Sequence, residues 1–471
     1  MERRLSVLAA GAFIVAAVLG SAWITGQFTT PQVDRTDGYV GELAALDQPW
    51  TRLFRISDAL SGLACALGVA LVPRVAREWP GWLALAAYAL LTFAAGLFPL
   101  DCAALSDPIC GQRAASFGHH VHTLTGALAT AAVLAAMGLL STAWRSRASW
   151  LFTWLCLTAT LLTLSALVAG HGVGLAQRAQ LTMIAVWLVY VSLRLLIADA
   201  PQPTAGGSAV SGYGPPHVTP TGYGPPHVVE EGAGPAVLIT AGQAGAWFHW
   251  DAVAGELAAR HRVIRFDRPG LGLSPLSPAP PTLFAEAARL AALSPAHPEQ
   301  VTVVAHGVAC WHAEAFARLH PLCLAGLVLV DPAGADVGRP LAIAAAAGRW
   351  LPALGGTWGA TALARLTGPA LHRLLAGHPD PSGVYRMGKV LTAVAGEWLA
   401  RRDMAADLHR LRLEKPFPGV PVTVIATDGQ DGFHERLARD LGAELVRLPR
   451  AGRRIPLRVP GAVAQAVSAV P

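Results

Sequence analysis

The run Val301-Thr302-Val303-Val304-Ala305-His306-Gly307-Val308-Ala309 decides how the second half of this chain is read. Val301–Ala305 is a short apolar, β-branched stretch, too brief for a helix and followed by small residues, so it reads as a buried strand. Comparable runs stand at Ala236–Thr240, Arg262–Phe266, Gly326–Val330, Val422–Ala426 and Glu444–Leu448. Between them lie Ala-, Leu- and Arg-rich stretches that read as helices, for example Ala252–Arg260 and Trp311–Leu319. Strand alternating with helix predicts an α/β fold: a parallel sheet covered on both faces, because each parallel crossover needs a helix-length connection. Residues Gly334–Pro418 contain no comparable strand and are expected to form a helical cap.

Upstream the texture changes. Leu5–Gly26, Ile56–Val72, Gly81–Phe98, His119–Leu140, Trp150–Gly170 and Ala179–Ile197 are each predominantly apolar. Each has about the 17–25 residues a helix needs to cross a bilayer. None alternates with period two and none shows a clean polar face, so an α-helical transmembrane bundle of about six helices is expected over residues 1–198. The bulk composition agrees: 53% of residues are hydrophobic, only 14% are charged, and the mean hydropathy is +0.44. A soluble protein carries roughly 25% charged residues. The net charge of +6 is spread thinly, with no basic run interleaved with aromatics, which excludes nucleic acid as an expected partner. The first segment, preceded by Arg3 and Arg4, has the look of a signal peptide but is read as an uncleaved helix because five more follow.

With the N-terminus inside, the cytoplasmic face holds Arg3, Arg4, Arg74, Arg77, Arg145 and Arg147. The outer face then holds Arg35, Arg52, Arg55, Arg113 and Arg178, a small bias in the expected direction. An even number of spans returns the chain to the cytoplasm, so a multi-pass protein of the cell membrane with a cytoplasmic C-terminal domain is expected. Of the 6 cysteines, Cys102 and Cys110 share one polar loop and are either a disulfide or two free thiols. Cys65, Cys156, Cys310 and Cys323 read as packing residues.

A Pro/Gly/Ser-rich stretch over 199–234 reads as a flexible linker. It carries a repeat, Gly212-Tyr213-Gly214-Pro215-Pro216-His217-Val218, recurring as Gly222-Tyr223-Gly224-Pro225-Pro226-His227-Val228. Two copies are too few for a solenoid. The expected organisation is thus 1–198, a linker over 199–234, and a second domain over 235–471.

Within that second domain, Phe266-Asp267-Arg268-Pro269-Gly270-Leu271-Gly272-Leu273-Ser274 resembles the DRPGxGxS turn of α/β-hydrolases. Ala236–Gly242, followed by Trp247 and Trp250, resembles the strand and oxyanion loop that precede such a turn. Val301–Ala309 falls at the nucleophile strand and elbow, and Gly326–Val330, ending in Asp331-Pro332, at the next strand. The first two hundred residues resemble the multi-helix membrane family called domain of unknown function 998, through Phe98-Pro99-Leu100-Asp101 and the histidines that open the fourth helix. That resemblance implies no established chemistry.

The hydrolase resemblance implies a serine on a sharp strand-to-helix turn, a histidine after the last strand, and an acid to orient it. Here Gly307 stands at the nucleophile position and has no side chain to form an acyl-enzyme. Arg453 stands at the base position, and an arginine stays protonated at physiological pH. Asp431, or else Asp428, remains as an acid with no histidine to serve. Ala241-Gly242 replaces the His-Gly of the oxyanion loop, leaving the backbone N–H groups of Gln243 and Val308 to point inwards. Cys310 lies nearly one helical turn beyond Gly307, so its thiol is expected to point away from the elbow. The leading expectation is a pseudo-hydrolase without intact catalytic residues, without a cofactor, binding a small apolar ligand or a protein partner through Gly242, Gln243 and Val308. Two alternatives stay open. One is a membrane-bound hydrolase of ester or lipid substrates with a non-standard nucleophile. The other is a metal or proton site in the membrane domain, formed by Asp58, Asp101, His122 and His171 with His119 and His120, since ionisable groups in membrane helices are costly.

Overall fold

The computed structural model describes residues 2–107, 109–110, 114–198, 224–335, 342–427, 432–449, 451–452 and 454–470. The chain divides into two compact units, Met1–Ala209 with Thr357–Gly359, and Val210–Gly356 with Ala360–Pro471.

The first unit is helical: α1 (Glu2–Leu19), α2 (Trp23–Thr29), α3 (Thr51–Leu71), α4 (Trp79–Leu97), α5 (Phe117–Trp144), α6 (Arg147–Ala169) and α7 (Val173–Ala198). The first two form one span, Arg3–Thr29, broken at Gly20–Ala22, so 6 helices are long and apolar enough to cross a membrane. Their inner faces bury Phe13, Trp82, Leu85, Met137, Leu140 and Trp187, with Cys65 and Cys156 packed among them as expected. Their outer faces expose Leu63, Leu90, Leu161 and Val168. A helix that is apolar all round, inside and out, suits hydrocarbon rather than water.

At one end of this bundle three loops are tied together by carboxylates. The Glu42 carboxylate accepts from the Leu105 N–H (2.6 Å) and the Ser106 hydroxyl (2.5 Å), and Asp47 accepts from the Ala103 N–H (3.2 Å). Asp37 accepts from the Gly172 N–H, and the Gln177 side chain accepts from the Val40 N–H (2.7 Å). Cys102 and Cys110 form a disulfide in the same region, their Cα atoms 6.1 Å apart. Burial holds the Glu42 carboxyl above the usual carboxylate range.

The second unit is built on a seven-stranded sheet in the order β1 (Val228–Glu231), β3 (Arg262–Phe266), β2 (Ala236–Thr240), β4 (Val301–His306), β5 (Leu324–Val330), β6 (Val422–Ala426) and β7 (Glu444–Arg447). All neighbours are parallel except β1, which runs antiparallel to β3. Alternate side chains face opposite layers. Leu238, Phe266, Val303 and Leu329 pack under α9 (Leu283–Leu293) and α10 (Ala309–Leu319). Val237, Ile239, Val304 and Val330 pack under α8 (Asp251–Leu257) and α16 (Pro460–Ser468). Both faces are therefore covered, which is why the central strands are apolar throughout. The insertion after β5 is helical, with α11 (Ala342–Leu354), α12 (Trp358–Ala376) and α13 (Gly388–Glu414). The chain closes through α14 (Phe433–Leu441), β7, α15 (Ile455–Arg458) and α16.

Six strands coincide with the expected ones to within two residues; β1 does not belong to them. It lies in the stretch read as linker, so the linker is shorter than 199–234 at its C-terminal end. Val-Val-Glu-Glu is a short edge strand whose polarity hides it from a hydrophobic search, and it is held by pairing with Arg262–Phe266 and by ion pairs of Glu230 to Arg262 and Glu231 to Arg265. The second repeat copy is likewise part of the domain: His227 Nδ1 lies 2.9 Å from the buried Asp267 carboxylate, and its N–H donates to Ser274 Oγ at 2.8 Å. The first copy lies outside the described residues.

Candidate functional site at the sheet switch point

The strand order reverses at β2, whose chain continues to β3 on one side while β4 lies on the other. Ligands of open α/β sheets bind at such a point, beyond the carboxyl ends of the strands. Two turns meet there. β4 ends in His306 and turns through Gly307 into α10; β2 ends in Thr240 and continues as the loop Ala241–Gly245.

Gly307 has φ +58°, the left-handed conformation that an elbow needs and that glycine adopts without strain. Its N–H donates to the Val330 carbonyl at 3.0 Å and its carbonyl accepts from the Ala333 N–H at 3.2 Å, so neighbouring strands hold the turn. A Cβ placed on Gly307 meets nothing within 4 Å. The elbow therefore retains its shape and its free space but carries no reactive atom. Gly242, by contrast, has none to spare, because a Cβ there would come 2.6 Å from His306 Nδ1.

The loop after β2 is clamped from below. Arg268, 4% exposed, donates to the carbonyls of Ala241 and Gly242 (the latter at 2.8 Å), while its Nε pairs with Glu397 of α13 at 2.7 Å. The other Glu397 oxygen accepts from the Ala244 N–H at 3.2 Å. With its carbonyls turned onto Arg268, the loop leaves the Gln243 N–H with no acceptor among the described residues. The Val308 N–H is likewise without an acceptor at the start of α10. The side chain of Val308 is buried in the core beneath the elbow.

Beside the loop after β2 and the end of β4 is a cavity of about 570 Å³, whose lining includes His306 but neither Gly307 nor Val308 among the described residues. Gly242 and Gln243 line it, with His306, Trp250 and the cap residues Leu371, Leu375, Leu391 and Val394. Among the described residues no Ser, Thr or Cys lines it. Its one hydroxyl, that of Tyr385, donates to the Ala244 carbonyl at 2.5 Å, and burial raises its pKa. Two imidazoles, His249 and His372, also face the cavity. His249 Nδ1 accepts from the Ala246 N–H at 3.3 Å, so Nε2 bears the proton and donates to His372 Nε2 at 2.9 Å. His372 stacks on Tyr385 with ring centres 3.9 Å apart. Burial, then the neighbouring His372, holds the His249 pKa down to about 3. Burial also lowers that of His372.

Cys310 is buried, with its thiol on the Ala305 carbonyl at 3.3 Å, and burial pushes the thiol pKa far up. It packs into the core as expected; Cys323 differs in being only half-buried. Asp331, at the end of β5 with φ +42°, accepts weakly from Thr427 Oγ1 at 3.4 Å and lies 4.0 Å from His434 Nε2. Asp428, Asp431 and Arg453 lie outside the described residues.

The membrane-domain residues come together only in part, His119 Nδ1 lying 4.0 Å from the Asp101 carboxylate. His122 Nδ1 sits at the Phe98 (2.8 Å) and Ala95 (3.0 Å) carbonyls, capping α4. Asp101 accepts from the Ser116 hydroxyl and N–H, both at 2.7 Å, and these bonds hold its carboxyl below the usual range. Asp58 lies within α3 and His171 is exposed after α6. Among the described residues no three His, Cys, Asp or Glu side chains come together to hold a metal ion. Helix ends have unsatisfied carbonyls and N–H groups, and these side chains answer them locally.

Sequence reasoning missed the Arg268–Glu397 clamp and the His249–His372–Tyr385 group. Arg268 is in the DRPG motif, but Glu397, His372 and Tyr385 come from the cap, where nothing in the sequence marks them.

No curated protein sequence matches the chain. Similar solved structures include Cfl2 from Burkholderia cenocepacia, 22% identical, covering 52% of this chain and 90% of that one with a TM-score of 0.40. An alpha/beta hydrolase fold protein from Burkholderia ambifaria is 23% identical over 51% of this chain and 92% of that one, TM-score 0.39. Epoxide hydrolase CorEH is 19% identical over 52% and 94%, TM-score 0.41. Residues 8–194 match the family "Protein of unknown function (DUF998)" and residues 236–466 match the "Alpha/beta hydrolase family". The chain joins a six-helix DUF998 domain to an alpha/beta hydrolase domain.

Proposed function

We propose that this chain is a membrane-tethered binding module whose hydrolase domain has lost catalysis and kept its pocket. One observation carries the reading: the elbow is open and correctly shaped, yet the residue at its apex is Gly307, and no Ser, Thr or Cys among the described residues lines the neighbouring cavity. Acyl transfer needs a nucleophile there and a base beside it. The arginine that the sequence places at the base position argues in the same direction. The Gln243 and Val308 N–H groups, together with the cavity, support retention of a ligand.

The disulfide Cys102–Cys110 supports the orientation, since such bonds persist on the oxidising side of a membrane. With that loop outside, the count of three further spans supports a cytoplasmic position for the segment after α7.

The test is labelling of the purified full chain with a fluorophosphonate probe, alongside hydrolysis of p-nitrophenyl esters. Neither is expected. Labelling of a serine, or esterase activity that disappears in Asp431→Ala, refutes the proposal in favour of a hydrolase with an unrecognised nucleophile.

A further inference from the structure

The cavity beside the loop after β2 is chemically lopsided. Arg454, just before α15, and Arg458, at its end, line it, and among the described residues no Asp or Glu does. Neither guanidinium has a carboxylate partner among the described residues: Arg454 donates to the Leu374 carbonyl at 3.0 Å and Arg458 to that of Ala451 at 3.2 Å. Several other arginines of this domain are matched with acids. Arg265 pairs with Glu231 and Asp251, Arg268 with Glu397, and Arg318 and Arg412 share Glu314. One backbone carbonyl uses one of the five donors of a guanidinium, so donor capacity is left over on both. The free Gln243 N–H adds a further donor on the cavity wall. Arg458 is exposed and Arg454 half-buried, which sets the positive charge at the mouth. The rest of the wall carries the polar side chains of Gln243, His249, His306, His372 and Tyr385 and an apolar stretch from Leu371 and Leu375 of α12 and Leu391 and Val394 of α13.

Cationic mouth and apolar stretch call for a ligand of the same two parts. We infer that the cavity takes a single-chain amphiphile with an anionic head, a carboxylate or a phosphate monoester, the head on Arg454 and Arg458 and the chain between the cap helices. The volume of about 570 Å³ is within the usual range of small-molecule sites, roughly 300–1,000 Å³. A chain tethered at a bilayer is well placed to meet such molecules. This inference rests on the reading of the pocket as one that binds without turnover.

The experiment uses the full chain in phosphatidylcholine nanodiscs and radiolabelled dodecanoate, with empty nanodiscs as the blank. Saturable binding above the blank is expected, displaced by unlabelled dodecanoate and dodecyl phosphate but not by dodecanol or inorganic phosphate. The ratio of the first two competitors tells a carboxylate site from a phosphate site. Arg458→Gln should weaken dodecanoate binding on the order of tenfold, the usual worth of a hydrogen bond to a charged group. Being exposed, it should do so without loss of folding, which covers the case that Arg454→Gln, by uncapping α12, fails to fold. Equal displacement by dodecanol, displacement by inorganic phosphate alone, absence of saturable binding, or unchanged affinity in Arg458→Gln overturns the inference and leaves the non-catalytic reading standing. Release of alcohol from a dodecanoyl ester instead overturns that reading itself.

Discussion

Replacing Gly307 with serine probes the elbow directly, because the structure predicts both what it costs and what it restores. The backbone at 307 has φ +58°, where a residue with a Cβ is strained by about 1–2 kcal/mol. No steric cost is added, since a Cβ at this position meets nothing within 4 Å. Serine also has less freedom than glycine in the unfolded chain, which returns about 0.4–1 kcal/mol. The net destabilisation is therefore about 1 kcal/mol or less, a fall in Tm of roughly 2–4 °C for a domain of this size. Gly272→Ser is the matched control. It has φ +47°, the same side of the Ramachandran map, but its Cβ would run into the Asp267 carboxylate, so the domain should be severely destabilised. Thermal unfolding followed by tryptophan fluorescence measures both. Fluorophosphonate labelling of Gly307→Ser should rise above wild type yet stay far below that of a serine hydrolase, for lack of a base. The double change Gly307→Ser with Arg453→His should label faster than the single one. If Gly307→Ser unfolds the domain as Gly272→Ser does, the elbow is not open and the argument from its geometry fails.

Glu397→Ala leaves Arg268 buried without its partner and frees the Ala244 N–H; breaking such a pair costs about 3–5 kcal/mol, and the cavity should lose ligand affinity with it, measured by denaturant unfolding and by binding. His312→Met should stabilise by about 1–2 kcal/mol, because both ring nitrogens of His312 are buried without a hydrogen-bond partner; a loss of stability on this change would show that the imidazole is needed. The folded domain keeps His249 and His312 neutral, each with a pKa lowered by burial to about 3 against 6.5 in the unfolded chain. Between those values the unfolded state binds more protons, so stability should be fullest above about pH 6.5 and decline as the pH falls towards 3. Tm measured from pH 7.5 to 4.5 should show that slope, and His312→Met should flatten it.

The two-domain plan was readable because its signals are local. Six apolar stretches of membrane length need no partner to be recognised, since the bilayer demands length and composition alone. The buried strands were legible because a strand covered on both faces has to be apolar throughout, as Val301–Ala305 is. The edge strand Val228–Glu231 failed that test: its polar residues pair with Arg262 and Arg265 on the neighbouring strand, and nothing nearby in sequence announces them. Gly307 at the turn after Val301–His306 was likewise legible, because it is a single residue in a local motif.

By itself, then, the chain of residues determined where the membrane helices fall, that a doubly covered parallel sheet follows, and that its elbow ends in a residue without a side chain. Each of these depends on neighbours within a few positions, on periodicity or on a single turn. Tertiary structure alone decided that, among the described residues, no three histidines or carboxylates of the helical domain gather as a metal site, His119 and Asp101 alone lying side by side. It also decided that Arg268 and Glu397, 129 positions apart, hold one loop, and that Arg454 and Arg458 stand, among the described residues, without acids at the mouth of a cavity lined in part by the cap. Those outcomes come from contacts between segments distant in sequence, and such contacts become determinate only once the sheet and cap have packed.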